Sequence, residues 1–159
     1  MVYRQPLLVV RDLEASLRFY QEVLGLEKIL DLDFGANVTL TGGISLQTLD
    51  SWAEFLGVNP MDISFGGKAA ELYFDEESFD AFAARLEEKG VTYVHPVQEH
   101  SWGQRAVRFL DPDGHVIEVG ETMTAVCKRF LDQGMTPETI AVRMDVPLDY
   151  AKELVASVK

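Results

Sequence analysis

Cysteine is almost missing from this chain: Cys127 is the only one among 159 residues. A lone thiol excludes an internal disulfide framework and any multi-cysteine zinc site, and within its amphipathic segment Cys127 reads as a small buried hydrophobe. Positive charge is scarce as well. Fourteen Lys and Arg stand against 26 Asp and Glu, a formal net charge of -12. Such a surface repels phosphate backbones and attracts cations, which sets nucleic acid aside as a partner. No apolar run approaches the roughly 18 residues that a membrane span requires, and the first residues lack the basic-then-apolar layout of a secretory leader. The expectation is a cytoplasmic protein with no membrane partner. What remains, 47% hydrophobic and 25% charged residues, is ordinary globular material, enough for one sizeable core or two small units fused around one.

Two segments share one helical design. "DLEASLRFYQEVLG" offers Asp12 as N-cap, apolar residues at Leu13, Leu17, Tyr20 and Leu24, and Gly25 as a stop; "SFDAFAARLEEKG" offers Ser78, then Phe79, Phe82, Ala83 and Leu86, then Gly90. A short strand-like run precedes each helix, "QPLLVV" and "ELYF". Three more follow each: "EKILDLD", "NVTL" and "ISLQTL" after the first, "VTYVHPVQ", "RAVRFL" and "HVIEVGE" after the second. Gly42-Gly43 joins the last two runs of the first set as a tight hairpin, and Asp111-Pro112-Asp113-Gly114 supplies type I turn residues between the last two of the second.

The spacing indicates a duplication. Gln5 lies seven residues before Asp12 and Glu71 seven before Ser78, while Gln47 lies four after Gly43 and Glu118 four after Gly114. Gln5 therefore matches Glu71, and Gln47 matches Glu118. Glu118 stands inside an otherwise apolar strand, sharing a face with Val116 and Gly120 while His115, Ile117 and Val119 share the other.

The residues divide the chain into modules 1–50 and 68–122, a connector 51–67 with a helical pattern at Ser51 to Leu56, and a helical extension 123–159. The extension reads as three short helices, two of them arranged like a small helix-turn-helix, with Thr136-Pro137 as one helix start and Pro147 as the next. From 124 onward its charges balance, so it does not read as a DNA-binding element. Packing on the body, on a second subunit or over the cleft is the role expected of it.

"VRDLEASLRFYQEVLGL", "ELYFDEESFDAFAARLEEKG" and "WGQRAVRFLDPDGHVIEVGE" resemble the vicinal oxygen chelate superfamily, which contains glyoxalase I, extradiol dioxygenases, fosfomycin-resistance enzymes and bleomycin-binding proteins. The resemblance spans residues 3–121 and implies an α+β fold: two βαβββ modules forming a curved mixed sheet with a concave cleft, here followed by the helical extension. It implies a divalent metal held by the first and last strands of each module, which by position means Gln5, Gln47, Glu71 and Glu118. It also implies a homodimer.

The sequence departs from the superfamily's usual ligands, with an amide at Gln47 where a carboxylate is common and Glu71 where histidine is usual. An all-oxygen set favours Mg or Mn over Ni or Zn, and without histidine there it lacks the facial triad of an iron dioxygenase. Two functions stay open. One is a glyoxalase-like, metal-dependent lyase or isomerase acting on a small substrate with vicinal oxygens, with Glu118 or Glu71 as general base. The other is a metal-free protein that binds a small aromatic or cationic molecule, like the superfamily's drug-sequestering members. Tyr73, His100, Trp102 and Arg105 are the expected pocket residues, with Arg105 and Arg108 available to an anionic group. His95 and His115 read as structural.

Overall fold

The computed structural model describes residues 1–158, with Asp33 described by its backbone alone; Lys159, the last residue of the expected extension, lies outside the described residues. The chain falls into two compact units, Met1–Ala70 with Asp111–His115, and Glu71–Leu110 with Val116–Lys159. Each unit contains one four-stranded mixed sheet, and the strand, helix, three-strand order occurs twice.

In the first unit β1 (Leu7–Val10), α1 (Leu13–Leu24), β2 (Lys28–Leu32), β3 (Asn37–Leu40) and β4 (Ile44–Thr48) build a sheet in the order β1-β4-β3-β2. β1 runs parallel to β4 and the other pairs are antiparallel. The expected strand from Gln5 begins only at Leu7. Pro6 has no N–H for a ladder, although its carbonyl accepts from Ser45 N at 3.1 Å. Helix α1 starts where Asp12 Oδ1 accepts from Ala15 N at 2.9 Å and stops at Gly25, whose φ of 70° is the left-handed cap. Its buried residues are Ser16, Tyr20 and Val23, with the expected Leu13, Leu17 and Leu24 only half-buried. Ser16 and Tyr20 are buried because they hydrogen-bond the aspartates of the Asp111–His115 turn: Ser16 Oγ donates to Asp113 Oδ2 at 3.3 Å, and Tyr20 Oη to Asp111 Oδ2 at 2.9 Å. The connector forms α2 (Leu49–Leu56), capped at Gly57.

In the second unit β5 (Glu71–Glu76), α3 (Phe79–Lys89), β6 (Thr92–Glu99), β7 (Arg105–Leu110) and β8 (Val116–Glu121) repeat the order as β5-β8-β7-β6. Ser78 occupies the N-cap of α3 without capping it through its side chain; its own N–H donates to Glu76 Oε1 instead. Phe79, Phe82 and Leu86 of α3 are buried, as are Val107, Phe109, Ile117 and Val119 on the facing side of β7 and β8. The Phe82 and Phe109 rings lie 6.4 Å apart between centroids. Full burial of such side chains stabilises by about 1.5–3 kcal/mol each, which fixes this face as the core and turns the alternate residues the other way. His115, grouped by alternation with Ile117 and Val119, precedes β8 and stays in the turn, bonded through Nδ1 to Asp111 Oδ2 at 2.8 Å.

The extension is three helices, α4 (Met123–Asp132), α5 (Pro137–Met144) and α6 (Leu148–Ser157), belonging to the second unit. Val126, Cys127, Phe130, Ile140, Met144, Ala151 and Val155 are among the residues of their shared core. Thr136 and Thr139 form a reciprocal capping box on either side of Pro137. Among the described residues, no helix is long and apolar enough to cross a membrane.

Candidate functional site

The face of the second sheet that turns away from α3 carries a row of charged and polar residues. β8 pairs with β5 in parallel, setting Tyr73 beside Glu118, and with β7 in antiparallel, setting Arg108 beside Glu118 on the other side. His95 of β6 pairs with Arg108 in turn. Glu71, Tyr73 and Asp75 of β5, Glu118 of β8, Arg108 of β7 and His95 of β6 therefore form one polar row across four strands. The alternation of exposed and half-buried residues along β5 has the same cause: Glu71, Tyr73 and Asp75 are the exposed ones.

Arg108 is the centre of the row. Its Nε donates to Glu71 Oε2 at 2.9 Å, its Nη2 closes on Glu118 Oε2, and its Nη1 meets His95 Nε2 at 3.1 Å. His95 Nδ1 lies 2.8 Å from Pro96 O, so the tautomer protonated on Nδ1 satisfies both ring nitrogens. Glu118 is 4% exposed, and Arg108 is what balances its buried charge.

Next to this row, Tyr73 Oη donates to Asp75 Oδ1 at 2.6 Å and accepts from Gln104 Nε2 at 2.9 Å. Burial and then the Asp75 hydrogen bond push the Tyr73 hydroxyl above its usual range, against the opposing effect of Gln104. Gln104 Oε1 accepts from Trp102 Nε1 at 3.1 Å, and Trp102 stacks on His100 with centroids 4.3 Å apart and planes 9° from parallel. Tyr73, Gln104, Trp102 and His100 thus form one connected chain from the sheet face into the loop. Tyr73 is 49% exposed and Trp102 37%, so both rings are open to a ligand.

Arg105 departs from expectation. It shares the opposite face with Val107 and Phe109, because it lies two and four residues before them in the strand. There Nη1 and Nη2 fork onto Asp80 at 2.6 and 3.2 Å, and Nη2 reaches Glu121 Oε1 at 2.8 Å. It lines a separate hollow of about 870 Å³ with Asp80, Lys128 and Asp132. The structure does not bring Arg105 to the face of Tyr73 and Glu118.

Gln5 and Gln47 meet one face of the first sheet. Gln5 Nε2 donates to Ser45 Oγ, which lies 3.1 Å from Thr39 Oγ1. Gln47, 2% exposed, accepts from Asn37 Nδ2 at 2.5 Å and donates from Nε2 to Ser51 Oγ at 2.6 Å. The hydrogen bonds described on this face join amides and hydroxyls.

Each of the four positions expected to hold a metal makes a polar contact within its own unit. Both carboxylates are engaged by one guanidinium, the Gln47 oxygen already accepts a hydrogen bond, and Gln5 is engaged through Ser45. Among the described residues, no group of three or more His, Cys, Asp and Glu is placed to hold a metal ion. Sequence reasoning missed Asp75 and His95 as members of the row, and gave Arg108 no part between the carboxylates. Asp75 carried a readable signal, lying two and four residues beyond Tyr73 and Glu71 on the same face; His95 carried none, since β6 shifts register on both sides of it.

A profile of the Glyoxalase-like domain family matches residues 3–124. The chain belongs to the Glyoxalase-like domain family. Within the glyoxalase-like set it is similar to the glutathione transferase FosA of Serratia marcescens, 33% identical over 112 residues that cover 70% of this chain and 74% of that protein. Among solved structures, a protein of unknown function from Agrobacterium tumefaciens str. C58 is 35% identical with a TM-score of 0.65, covering 77% of this chain and 95% of its own. A member of the glyoxalase/bleomycin resistance protein/dioxygenase superfamily from Sphaerobacter thermophilus DSM 20745 is 31% identical with a TM-score of 0.58, covering 76% and 98%. Helices α5 and α6, and all but the first two residues of α4, lie beyond the glyoxalase-like match.

Proposed function

We propose that this glyoxalase-like protein binds a cationic aromatic small molecule without a metal, on the face formed by Glu71, Tyr73, Asp75 and Glu118. The observation that carries the reading is Arg108 set between Glu71 and Glu118. A guanidinium there neutralises the pair that a metal would need, and it leaves three carboxylates against one cation on the face, an excess of negative charge. An exposed tyrosine and an exposed tryptophan beside that charge suit a ring that carries positive charge. The net charge of -12 draws such a ligand from solution. A small-molecule partner and a homodimer belong to the same proposal.

Ethidium, a planar aromatic cation, tests it by fluorescence anisotropy on protein dialysed against chelator. Binding is expected to survive chelator and to weaken roughly 2- to 30-fold in Tyr73→Ala, the range of a cation–π contact from exposed to desolvated. No binding, or binding that appears only when a divalent ion is returned, would count against the reading. The likeness to FosA favours a second reading, a metal-dependent enzyme of the lyase, isomerase or transferase kind, which requires Arg108 to leave both carboxylates. One calorimetric titration of stripped protein with Mn separates the two: heat of binding supports the enzyme, and its absence supports the metal-free binder.

A further inference from the structure

The loop that carries His100 and Trp102 is held by side chains from α4 and α5. Within itself it closes with two backbone bonds, His100 N to Gln104 O at 2.8 Å and Gly103 N to His100 O at 2.9 Å. Those leave the carbonyls of Ser101 and Gly103 in need of partners. Arg143 Nη1 donates to Ser101 O, and Arg129 Nη2 donates to Gly103 O at 2.5 Å. Both guanidiniums also pair with Glu99, the last residue of β6, so the strand end and the loop are held together.

Phe130 fixes the spacing. Its ring lies under Gly103, where a Cβ would come 2.3 Å from Phe130 Cζ, and Gly103 has a φ of 88°. Arg129 and Arg143 both lie against that ring, at 5.0 and 5.3 Å from its centroid. Arg129 is anchored in turn by Glu121, held ionised below its usual range because the hydrogen bonds from Arg105 and Arg129 outweigh burial. None of Arg129, Phe130 and Arg143 lies within the matched family residues 3–124.

We propose that the C-terminal helices are a positioning element for ligand binding: Arg143 and Arg129, spaced by Phe130, hold residues 99–103 so that the stacked His100–Trp102 pair stays in place beside Tyr73. Resting on the binding reading above, the inference assigns the extension a role in affinity, and it makes Arg143 a positioning residue that touches no ligand. Loss of Arg143 frees the Ser101 carbonyl and one side of Glu99, and the loop should then sample conformations in which Trp102 no longer faces the site.

The test uses the full chain with Trp52→Phe, so that Trp102 is the only tryptophan, and compares Arg143→Ala, Arg143→Lys and Gly103→Ala. Acrylamide quenching of Trp102 is expected to rise about twofold in Arg143→Ala, as for a loop with reduced local stability. Ethidium affinity is expected to fall roughly 3- to 10-fold, with Arg143→Lys between that and the parent because its charge still meets Glu99. Gly103→Ala should reproduce both changes by pressing on Phe130. Unchanged quenching in Arg143→Ala would overturn the proposal, as would raised quenching with undiminished ethidium affinity. Failure of the parent to bind ethidium would remove the binding reading and this inference with it, whereas raised quenching of Trp102 together with weakened ethidium binding, in a parent that does bind, confirms the positioning role.

Discussion

Replacing Arg108 with methionine keeps the aliphatic stem and removes the guanidinium, leaving Glu71 and Glu118 facing one another's charge without compensation. Glu118 is the decisive partner, since it is 4% exposed and water cannot take over from Arg108. Removing one member of a buried ion pair costs about 3–5 kcal/mol, and the low end applies here because a quarter of the Arg108 side chain is exposed. About 3 kcal/mol in a chain of this length lowers the melting temperature by roughly 6–12 °C. Adding Glu118→Gln should recover most of that loss, because the buried charge is then gone.

The same variant bears on the metal. With the guanidinium removed, the carboxylates become available to a hard cation, so manganese should raise the melting temperature of Arg108→Met while leaving the parent unmoved. Differential scanning fluorimetry with and without manganese reads both effects. If the parent gains as much as the variant, Arg108 does not keep a cation from these carboxylates. If Arg108→Met melts within a degree of the parent, the buried charge of Glu118 is balanced by something else. Either result refutes the reasoning.

Two further outcomes follow from other parts of the molecule. His115 holds its proton to higher pH than a free imidazole because the Asp111 hydrogen bond outweighs burial, with Asp113 helping and Arg11 opposing, and Phe65 packs on its ring. Its stabilising contribution is complete below the unfolded value of about 6.5 and is lost as pH rises through the higher folded one, so the melting gap between parent and His115→Asn should shrink as pH rises above about 6.5. Asp111 itself is lowered, burial notwithstanding, mainly by His115, and stays ionised throughout that window. In the first unit, Gln47→Leu should cost about 1–3 kcal/mol by removing the hydrogen bonds that Asn37 and Ser51 make to the Gln47 amide, read as a shift in the denaturant midpoint.

The duplication was legible because helix caps and turn glycines carry strong local chemistry: Gly25 and Gly90 end the two matching helices, Gly43 and Gly114 mark the two matching turns, and the two sheets share one strand order. Strand alternation placed Glu118 on the face away from Ile117 and Val119, which is where it lies. What alternation could not say is what the facing strand presents. Whether Glu118 meets a cation, an amide or water depends on the register of β7, and register is a long-range property of the sheet. Arg105 shows the same limit in reverse: Arg105 and Arg108 lie three apart in one strand and so face opposite sides, yet both had been read as available to a ligand. The hold of α4 and α5 on the 99–103 loop depends on contacts 26 to 44 residues apart in the chain, for which no local pattern exists.

The repeat itself suggests how the two units differ in task. In each, the residue four after the turn glycine is paired across the antiparallel ladder, Gln47 with Asn37 and Glu118 with Arg108. The position and the pairing are retained while the chemistry changes from amide with amide to carboxylate with guanidinium. An amide pair satisfies itself at little electrostatic cost, so the first unit's version serves structure, whereas the charged version carries a desolvation penalty that an amide pair would avoid. Converting the second unit with Glu118→Gln and Arg108→Asn should therefore restore stability relative to Arg108→Asn alone, by more than half of what that single change removes. The same double variant should bind ethidium about as tightly as the parent, since one carboxylate and one guanidinium leave the face together and its net charge is unchanged. A double variant as unstable as the sum of its parts would show that the carboxylate and guanidinium act separately, and that the retained pairing of the repeat has no energetic meaning.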